Sequence, residues 1–257
     1  MSTQREKAEE LRRLHAAPEP LVLVNAWDAA SARTVAGTAG CRAIATASWA
    51  IAAARGYKDG EQITLDEMID SVKIIADAVE LPVTADLERG YGDVKATVTR
   101  ALEAGAVGCN LEDTDGDFQL VPVEQHVAAV KAAREAGEQA GVPLVINART
   151  DVYLHGVNDM DQAVERARAY LAAGADCAFI PGVADVETLQ ELVIRVRGPI
   201  SILAGPSSPR LAEIARLGIV RVSYGPGPQG VALAALRKAA ETLLTGGEPP
   251  ADLAFRP

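Results

Sequence analysis

Short apolar runs recur along the chain, and each is bounded by glycine, proline or a short polar residue. Runs of this length are typical of buried strands, and the segments between them carry apolar residues at helical spacing. Because strands that alternate with helices form parallel sheets, the pattern predicts a (β/α)8 TIM-type barrel of the α/β class. The predicted strands are 21–27, 43–47, 82–86, 107–112, 143–149, 176–180, 199–203 and 219–223. The predicted helices are 66–79, 94–104, 123–140, 160–173, 186–196, 209–217 and 229–244, after a leading helix at 5–15.

The length of 257 residues is ordinary for one such barrel. We therefore expect a single domain over 1–257, with the barrel at about 20–245 and a loosely held tail at 246–257. One connection, 46–64, is longer than a barrel needs, and long loops in compact domains often serve as lids over a binding site.

Charge and composition exclude several classes of partner. The net charge is −10 and the basic residues are dispersed, so nucleic acid is not an expected partner. The three cysteines have no metal-binding spacing and are expected to be small buried residues in a reducing compartment. The N-terminus is polar, and no apolar run is long enough to cross a bilayer. We expect a cytoplasmic protein without a membrane partner.

Acidic residues end two successive predicted strands: Asp86 and Glu88 follow one, and Glu112 ends the next. The carboxyl ends of parallel strands meet at one rim of a barrel, so these side chains are expected to converge on a single hard cation. Carboxylate oxygens and water suit Mg²⁺, with Mn²⁺ as the alternative, better than zinc. The competing interpretation is that the acids only cap the following helices.

Arg149 ends the fifth predicted strand and adds a cation to the same rim. A guanidinium there can hold a substrate carboxylate through two hydrogen bonds, although an ion pair that balances the nearby acids is the alternative. Asp151, two residues later, is predicted to be a helix cap. The three histidines, His15, His126 and His155, have no partner at metal or triad spacing and are predicted to lie on the surface.

The long connection contains further polar candidates. Ser48 and Trp49 stand at its start, where a hydroxyl with adjacent backbone N–H groups can bind an anion. Asp59 lies near its end and would reach the water shell of a metal ion when the loop closes. The alternative for Asp59 is an ordinary turn residue, because Asp-Gly favours turns.

Several short motifs, taken in order over about 20–225, together resemble the isocitrate lyase/phosphoenolpyruvate mutase superfamily. They are Ser48-Trp49, Gly56-Tyr-Lys-Asp59-Gly, Asp86-x-Glu88-x-Gly-Tyr-Gly92, Leu111-Glu112-Asp113 and Asn147-Ala-Arg149-Thr-Asp151. The resemblance implies an α/β barrel, a Mg²⁺ ion, and a 2-oxo acid substrate whose C–C or C–P bond breaks through an enolpyruvate-like intermediate. It assigns Asp86 to the metal directly, Glu88, Glu112 and Asp59 to its waters, and Ser48, Trp49 and Arg149 to the substrate.

The chain also departs from the superfamily pattern. Lyases carry a Lys-Arg-Cys-Gly-His type loop, but 112–122 contains no Lys, Cys or His, and the Pro-Lys-Thr-Asn type loop of phosphonopyruvate enzymes is absent too. Glu88 replaces the usual second Asp, Ile180-Pro-Gly182 stands where many relatives have an acidic residue, and Ala204-Gly205 replaces the usual Asn. The groups that polarise a substrate are therefore present, whereas the group that transfers a proton is not.

We therefore predict a Mg²⁺-dependent lyase or decarboxylase that cleaves a C–C bond in a small 2-oxo or 2-hydroxy dicarboxylate, with Asp59 and Arg149 as catalytic residues. One alternative is a phosphoenolpyruvate or phosphonopyruvate mutase or hydrolase, which acts on a C–P bond. Another is a non-catalytic member that binds a metabolite. By the same resemblance we expect a homo-oligomer, since relatives often exchange a C-terminal helix between subunits.

Overall fold

The apolar runs form one parallel sheet in a computed structural model, which describes residues 2–254. The strands are β1 (Leu21–Leu23), β2 (Asn25–Ala26), β3 (Ile44–Thr46), β4 (Val83–Asp86), β5 (Gly108–Glu112), β6 (Val145–Arg149), β7 (Cys177–Phe179), β8 (Ile200–Leu203) and β9 (Arg221–Ser223). Their order is β1-β9-β8-β7-β6-β5-β4-β3-β2. Only Val24 separates β1 from β2, so the sheet closes on itself as the predicted TIM-type barrel. Every strand falls inside a predicted run.

Helices surround the barrel. They are α1 (Gln4–His15), α2 (Ala29–Ala36), α3 (Ser48–Ala54), α4 (Leu65–Asp77), α5 (Val94–Glu103), α6 (Val123–Gln139), α7 (Met160–Ala172), α8 (Val186–Val196), α9 (Leu211–Leu217) and α10 (Gly227–Leu244), with a short 3-10 helix at Ala251–Leu253. All eight predicted helices are confirmed, whereas α2 and α3 were not predicted. The prediction of a long loop at 46–64 is therefore wrong at its start, where an alanine-rich segment favours a helix.

The helix caps decide one of the alternatives left by the sequence. Asp93 begins α5 and accepts a hydrogen bond from the Ala96 N–H, while α6 begins after Pro122 with no side-chain cap. The acids at the ends of β4 and β5 therefore cap neither of the following helices. The prediction that Asp151 is a cap is also wrong, because Asp159 caps α7.

The helix α1 packs against the hydrophobic core formed with the strands. Its Leu11 is fully buried, and a Cβ atom at Gly108 in β5 would lie 2.8 Å from Leu11 Cδ2. Glycine at the start of β5 thus allows α1 to approach the sheet closely. His15, at the end of α1, is 5% exposed, so its predicted surface position is wrong.

The barrel interior also contains an arginine. Arg221 of β9 has no exposed surface, donates to Asn110 Oδ1 at 3.0 Å, and lies 3.5 Å from His15 Nε2. No carboxylate of residues 2–254 forms a salt bridge with it. Burial lowers the pKa of Arg221 to about 10, so the guanidinium carries its charge at neutral pH.

The last long helix differs from the others, because its apolar side chains are exposed. Gln229 is the one buried residue of α10, whereas Val231, Leu236 and Leu244 are 73%, 64% and 87% exposed. None of the helices within residues 2–254, α10 included, combines the length and the hydropathy needed to span a bilayer. The final three residues of the predicted tail lie outside the described residues.

Candidate active site

The structure brings the predicted acidic residues together at the carboxyl end of the barrel. Strands β4 and β5 are neighbours, with Asp86 opposite Asn110, so Glu112 ends beside the turn that carries Glu88. Glu88 is 2% exposed and Glu112 is 8% exposed. We call Asp59, Asp86, Glu88 and Glu112 the acidic rim.

The acidic rim carries more negative charge than its surroundings balance. Burial raises the pKa of Glu88 to about 7, and the charges of Asp59 and Asp86 act in the same direction. Burial also raises the pKa of Glu112 to about 7, although the neighbouring Arg149 opposes the shift. A bound cation favours the ionised form of such carboxyl groups and lowers their pKa, because its positive charge offsets their repulsion.

Asp86 is held through one of its two carboxylate oxygens. Its Oδ2 accepts hydrogen bonds from the Ser48 N–H at 3.0 Å and from the Ser48 hydroxyl at 2.8 Å. The N–H is available because Ser48 begins α3. Within residues 2–254 no donor binds Asp86 Oδ1, so that oxygen is free to accept a metal ion. The Ser48 hydroxyl is thus engaged with Asp86, and the predicted contact with a substrate carboxylate requires it to change partner.

Arg149 lies between two carboxylates. Its Nη1 is 2.7 Å from Glu112 Oε2, and its Nε and Nη2 form a fork with Asp151 at 2.6 and 2.8 Å. Burial alone would lower the pKa of Arg149, but these two carboxylates raise it, so the group remains charged. The ion-pair alternative is therefore present in the structure. The assignment of Arg149 to the substrate remains a prediction.

A second buried network, which the sequence did not reveal, supports the ion pair between Arg149 and Asp151. Asp113 is fully buried and accepts hydrogen bonds from the Asp151 N–H at 3.0 Å, from Arg166 at 2.9 Å and from the Tyr170 hydroxyl at 2.7 Å. The network fixes the position of Asp151 and through it that of Arg149. The adjacent acids Glu112 and Asp113 were the only signal, and they did not reveal partners far along the chain.

His126 packs against this network. Its ring contacts Tyr170 edge-on, with centroids 4.5 Å apart, and burial lowers its pKa to about 4. Since it is 3% exposed, its predicted surface position is wrong. His155 is exposed, as predicted, and its Nε2 lies 3.4 Å from Asp151 Oδ2.

Asp59 and Trp49 are both exposed, unlike the buried Glu88 and Glu112. Trp49 is 47% exposed. Asp59 has an exposed side chain, yet the surrounding protein and the charge of Asp86 raise its pKa. Asp59 is therefore close enough to Asp86 for the two charges to interact, as a shared metal site requires.

The donor set fits a magnesium ion that is held mainly through water. No group of three Asp, Glu, His or Cys side chains within residues 2–254 is arranged to ligate one ion directly. One free carboxylate oxygen on Asp86, surrounded by further acids, instead suits an ion with one direct protein ligand and several waters. Such partial hydration is common for Mg²⁺ in proteins.

Comparison with known proteins shows similarity over most of the chain. The family model described as phosphoenolpyruvate phosphomutase matches residues 11–244. Oxaloacetate decarboxylase of Rhodopseudomonas palustris (strain HaA2) is 32% identical over 207 residues, which cover 76% of this chain and 70% of the relative. A candidate phosphonomutase from Burkholderia cenocepacia J2315 superposes with a TM-score of 0.88 at 43% identity, over 92% of this chain and 99% of the other.

A further solved structure identifies the superfamily by name. The chain is similar to 2,3-dimethylmalate lyase, a PEP mutase/isocitrate lyase superfamily member, with a TM-score of 0.87 at 28% identity, over 100% of this chain and 93% of the other. The barrel, the acidic rim and the extent of these matches lead to one conclusion. The chain belongs to the isocitrate lyase/phosphoenolpyruvate mutase superfamily, among lyases and mutases that act on small carboxylates.

Proposed function

We propose that the protein is a Mg²⁺-dependent enzyme that cleaves a C–C bond of a small 2-oxo or 2-hydroxy dicarboxylate through an enolpyruvate-like intermediate. The observation that carries the proposal is the unbalanced acidic rim, with Asp86 Oδ1 free and Arg149 charged beside it. A divalent cation and a carboxylate substrate would together complete the charges of this site.

Each residue of the site has a distinct task in this proposal. Asp86 would hold Mg²⁺ directly, while Glu88, Glu112 and Asp59 would hold its waters. The bound ion would supply electrostatic stabilisation of the negative charge that develops on the oxo group of the substrate. Ser48, Trp49 and Arg149 would bind and orient the substrate, with Arg149 exchanging part of its fork from Asp151 to a substrate carboxylate.

Decarboxylation of oxaloacetate is the reaction that this set of residues supports best. The bond between C3 and the C4 carboxylate breaks, and C4 leaves as CO₂. The electron pair of the broken bond passes into the enolate, and a solvent proton then adds at C3 to give pyruvate. Cleavage of a 2-hydroxy acid by a lyase needs a base to remove the hydroxyl proton. The loop at 112–122 offers no Lys, Cys or His for that task, and a relative is an oxaloacetate decarboxylase.

Phosphonate chemistry is the second candidate function, and one observation favours it: the 43% identity to the candidate phosphonomutase. Asp59 would then act at phosphorus or orient a water. The absence of a Pro-Lys-Thr-Asn type loop argues against it.

We also propose that a second copy of the chain covers α10. A groove of about 900 Å³ is lined by residues that include Leu14 of α1, Leu21 of β1 and Leu211 of α9. The exposed apolar residues of α10 suit a groove of this chemistry. Substitution of Leu236 by Lys should therefore shift the protein toward monomer in light scattering.

A pyruvate-release screen tests the proposed function directly. Oxaloacetate, 2-methylisocitrate, dimethylmalate and phosphonopyruvate are each offered with Mg²⁺ and with a chelator, to the wild type and to Asp86→Ala. Mg²⁺-dependent release from oxaloacetate by the wild type alone is the expected result. Release from phosphonopyruvate, or its conversion to phosphoenolpyruvate followed by phosphorus NMR, would favour the second candidate, and no turnover of any of the four compounds would favour the non-catalytic alternative.

A further inference from the structure

The side chain of Glu61 fastens the loop that carries Asp59 to the turn after β4. Glu61 Oε1 accepts hydrogen bonds from the backbone N–H of Arg89 at 3.1 Å and of Tyr91 at 2.8 Å. Its Oε2 lies 3.2 Å from Arg89 Nη2. One carboxylate thus binds two backbone donors and a guanidinium of a different loop, an arrangement of charge-assisted hydrogen bonds.

The fastening is reciprocal. The backbone N–H of Glu61 donates to Glu88 Oε2 at 2.5 Å, and Arg89 Nη2 donates to the Gly60 carbonyl at 3.0 Å. The other oxygen of Glu88, Oε1, accepts from the Tyr91 hydroxyl at 2.9 Å. Backbone and side chain of each loop therefore bind those of the other. We call Glu61, Glu88, Arg89 and Tyr91 the latch.

Backbone strain is concentrated in the same residues. Glu61, Glu88 and Tyr91 have φ angles of 58°, 50° and 52°, in the left-handed region that non-glycine residues rarely adopt. A conformation of this kind persists only where surrounding contacts determine it, and it is commonly associated with function. The hydrogen bonds of the latch are the contacts that hold these three residues.

We propose that Glu61 is a positioning residue that latches the Asp59 loop onto the turn following β4 and so fixes Asp59 at the acidic rim. The inference rests on the proposed function in one respect, namely that Asp59 acts at a bound metal ion. Glu61 lies two residues after Asp59, so the latch leaves Asp59 little freedom relative to Glu88.

Arg89 extends the latch toward the centre of the site. Its side chain is 13% exposed, and its Nη1, which has no hydrogen-bond partner, lies 3.7 Å from Glu112 Oε1. Arg89 therefore contacts the Asp59 loop on one side and the acidic rim on the other. A change in charge at Glu112 on metal binding would be felt by the latch through this guanidinium.

A second contact holds the opposite side of the loop. A Cβ atom at Gly60 would lie 2.8 Å from Phe118 Cζ, and the Phe118 ring is 5.4 Å from that of His155. Gly60 also has a φ of 89°, so a side chain is disfavoured there on two grounds. The loop is thus held between Phe118 and the latch.

Hydrogen exchange of the amides at 57–62 tests the latch without reference to activity. Glu61→Gln keeps the size of the side chain but weakens its hydrogen bonds, so exchange there should accelerate about tenfold or more while the melting temperature changes little. Glu80→Gln removes the same charge from an exposed residue that makes no ion pair within residues 2–254, and it should exchange as the wild type does. Equal rates in Glu61→Gln and the wild type would overturn the proposal.

Arg89→Met provides a second variant, which should accelerate exchange of the same amides. The amides of the double variant should exchange no faster than those of the more affected single variant, because both substitutions disrupt the same latch. Additive acceleration would show that Glu61 and Arg89 act separately and would contradict the latch.

Turnover separates the latch from the proposed function. With an active substrate, Glu61→Gln should lower kcat more than it raises KM, while Asp59→Ala should lose turnover and keep wild-type exchange at 57–62. If the wild type turns over no 2-oxo acid, the proposed function fails, and the exchange rates still decide whether Glu61 holds the loop. Unchanged kcat in Glu61→Gln, alongside accelerated exchange, would contradict positioning of Asp59.

Discussion

The two ends of the barrel balance the charges of their acidic residues in opposite ways. At the amino end, Asp176 lies between two arginines, with Arg134 Nη2 at 2.5 Å and Arg12 Nε at 3.2 Å, and it also accepts the Ile146 N–H at 2.8 Å. The Asp176 carboxylate thus has two arginines and one backbone N–H as partners. At the carboxyl end, Glu112 of the acidic rim pairs with Arg149 and Arg89, whereas no salt bridge within residues 2–254 reaches Asp59, Asp86 or Glu88.

The difference indicates which end is structural and which is functional. Charges that are satisfied within the chain stabilise the fold, whereas buried carboxylates without enough partners cost stability and persist where function requires them. The charge of Asp176 is therefore balanced within the chain, whereas the acidic rim keeps an excess of negative charge that the proposed metal ion would balance. The following predictions test this contrast, from the largest expected effect to the smallest.

The first prediction concerns the amino end. Asp176→Ala leaves Arg134, Arg12 and the Ile146 N–H without their carboxylate, so the free energy of unfolding should fall by about 3 kcal/mol, the upper end for hydrogen bonds to a charged group. Urea denaturation measures it. The Mg²⁺ and oxalate response of the folded protein should be unchanged, and its loss would show that the two ends are not independent.

The second prediction concerns the acidic rim. Oxalate is a mimic of enolpyruvate, and with Mg²⁺ at about a hundredfold excess over Kd it should stabilise the wild type by about 2.7 kcal/mol. Asp86→Ala should abolish this stabilisation, because the direct ligand is lost, whereas Glu88→Gln and Glu112→Gln should only weaken it, since an amide can still hold a water. Thermal shift measures the effect. A wild-type metal response in Asp86→Ala would refute the site.

The third prediction concerns Arg149. Arg149→Lys keeps the charge but loses the planar fork, so affinity for oxalate with Mg²⁺ should fall by about 1–3 kcal/mol. Because the fork also binds Asp151, we expect the melting temperature to fall as well. Calorimetric titration below the melting temperature separates the two effects. Unchanged affinity with a large loss of stability would make Arg149 structural only.

The fourth prediction concerns pH. The pKa values of Glu88 and Glu112 are raised to about 7, so between about pH 4.3 and 7 the folded state binds more protons than the unfolded state. Their contribution to the free energy of unfolding therefore falls as pH rises, by at most about 1.4 kcal/mol per pH unit for each group. Binding of Mg²⁺ competes with these protons.

The buried histidines act in the opposite sense, since the pKa values of His15 and His126 are lowered to about 4 and their contribution rises with pH up to about 6.5. Because these effects oppose each other, the measurement that isolates the acidic rim is the rise in melting temperature caused by Mg²⁺. This rise should be larger at about pH 8 than at about pH 5.5. Glu88→Gln should flatten this dependence. A Mg²⁺ effect independent of pH would contradict the raised pKa values.

Local patterns predicted the elements of the fold well, because strands and helices depend on residues near one another in the chain. The apolar run that becomes β4 and the turn residues after it were sufficient to bring Asp86 and Glu88 to the rim. The sequence failed where a partner lies far away. Asp113 binds Arg166 and Tyr170, more than fifty residues later, and no local spacing reveals such a contact.

Two other failures have similar causes. Both Asp151 and Asp159 precede α7, and only the structure shows that Asp159 caps it while Asp151 binds Arg149. His15 is predicted to lie on the surface because it has no partner at metal or triad spacing, yet the packing of α1 against the barrel buries it beside Arg221. Burial is a property of tertiary packing, which hydrophobic periodicity describes poorly for single polar residues.

Arg221 has a consequence for the charge balance of the acidic rim. Its guanidinium is sealed inside the barrel, and the charge of Asp86 acts on it from above. A fixed positive charge below the acidic rim offsets part of the repulsion among the carboxylates whenever no ion is bound. Under the proposed function, this fixed charge would let Mg²⁺ leave and return without any need to refold the site.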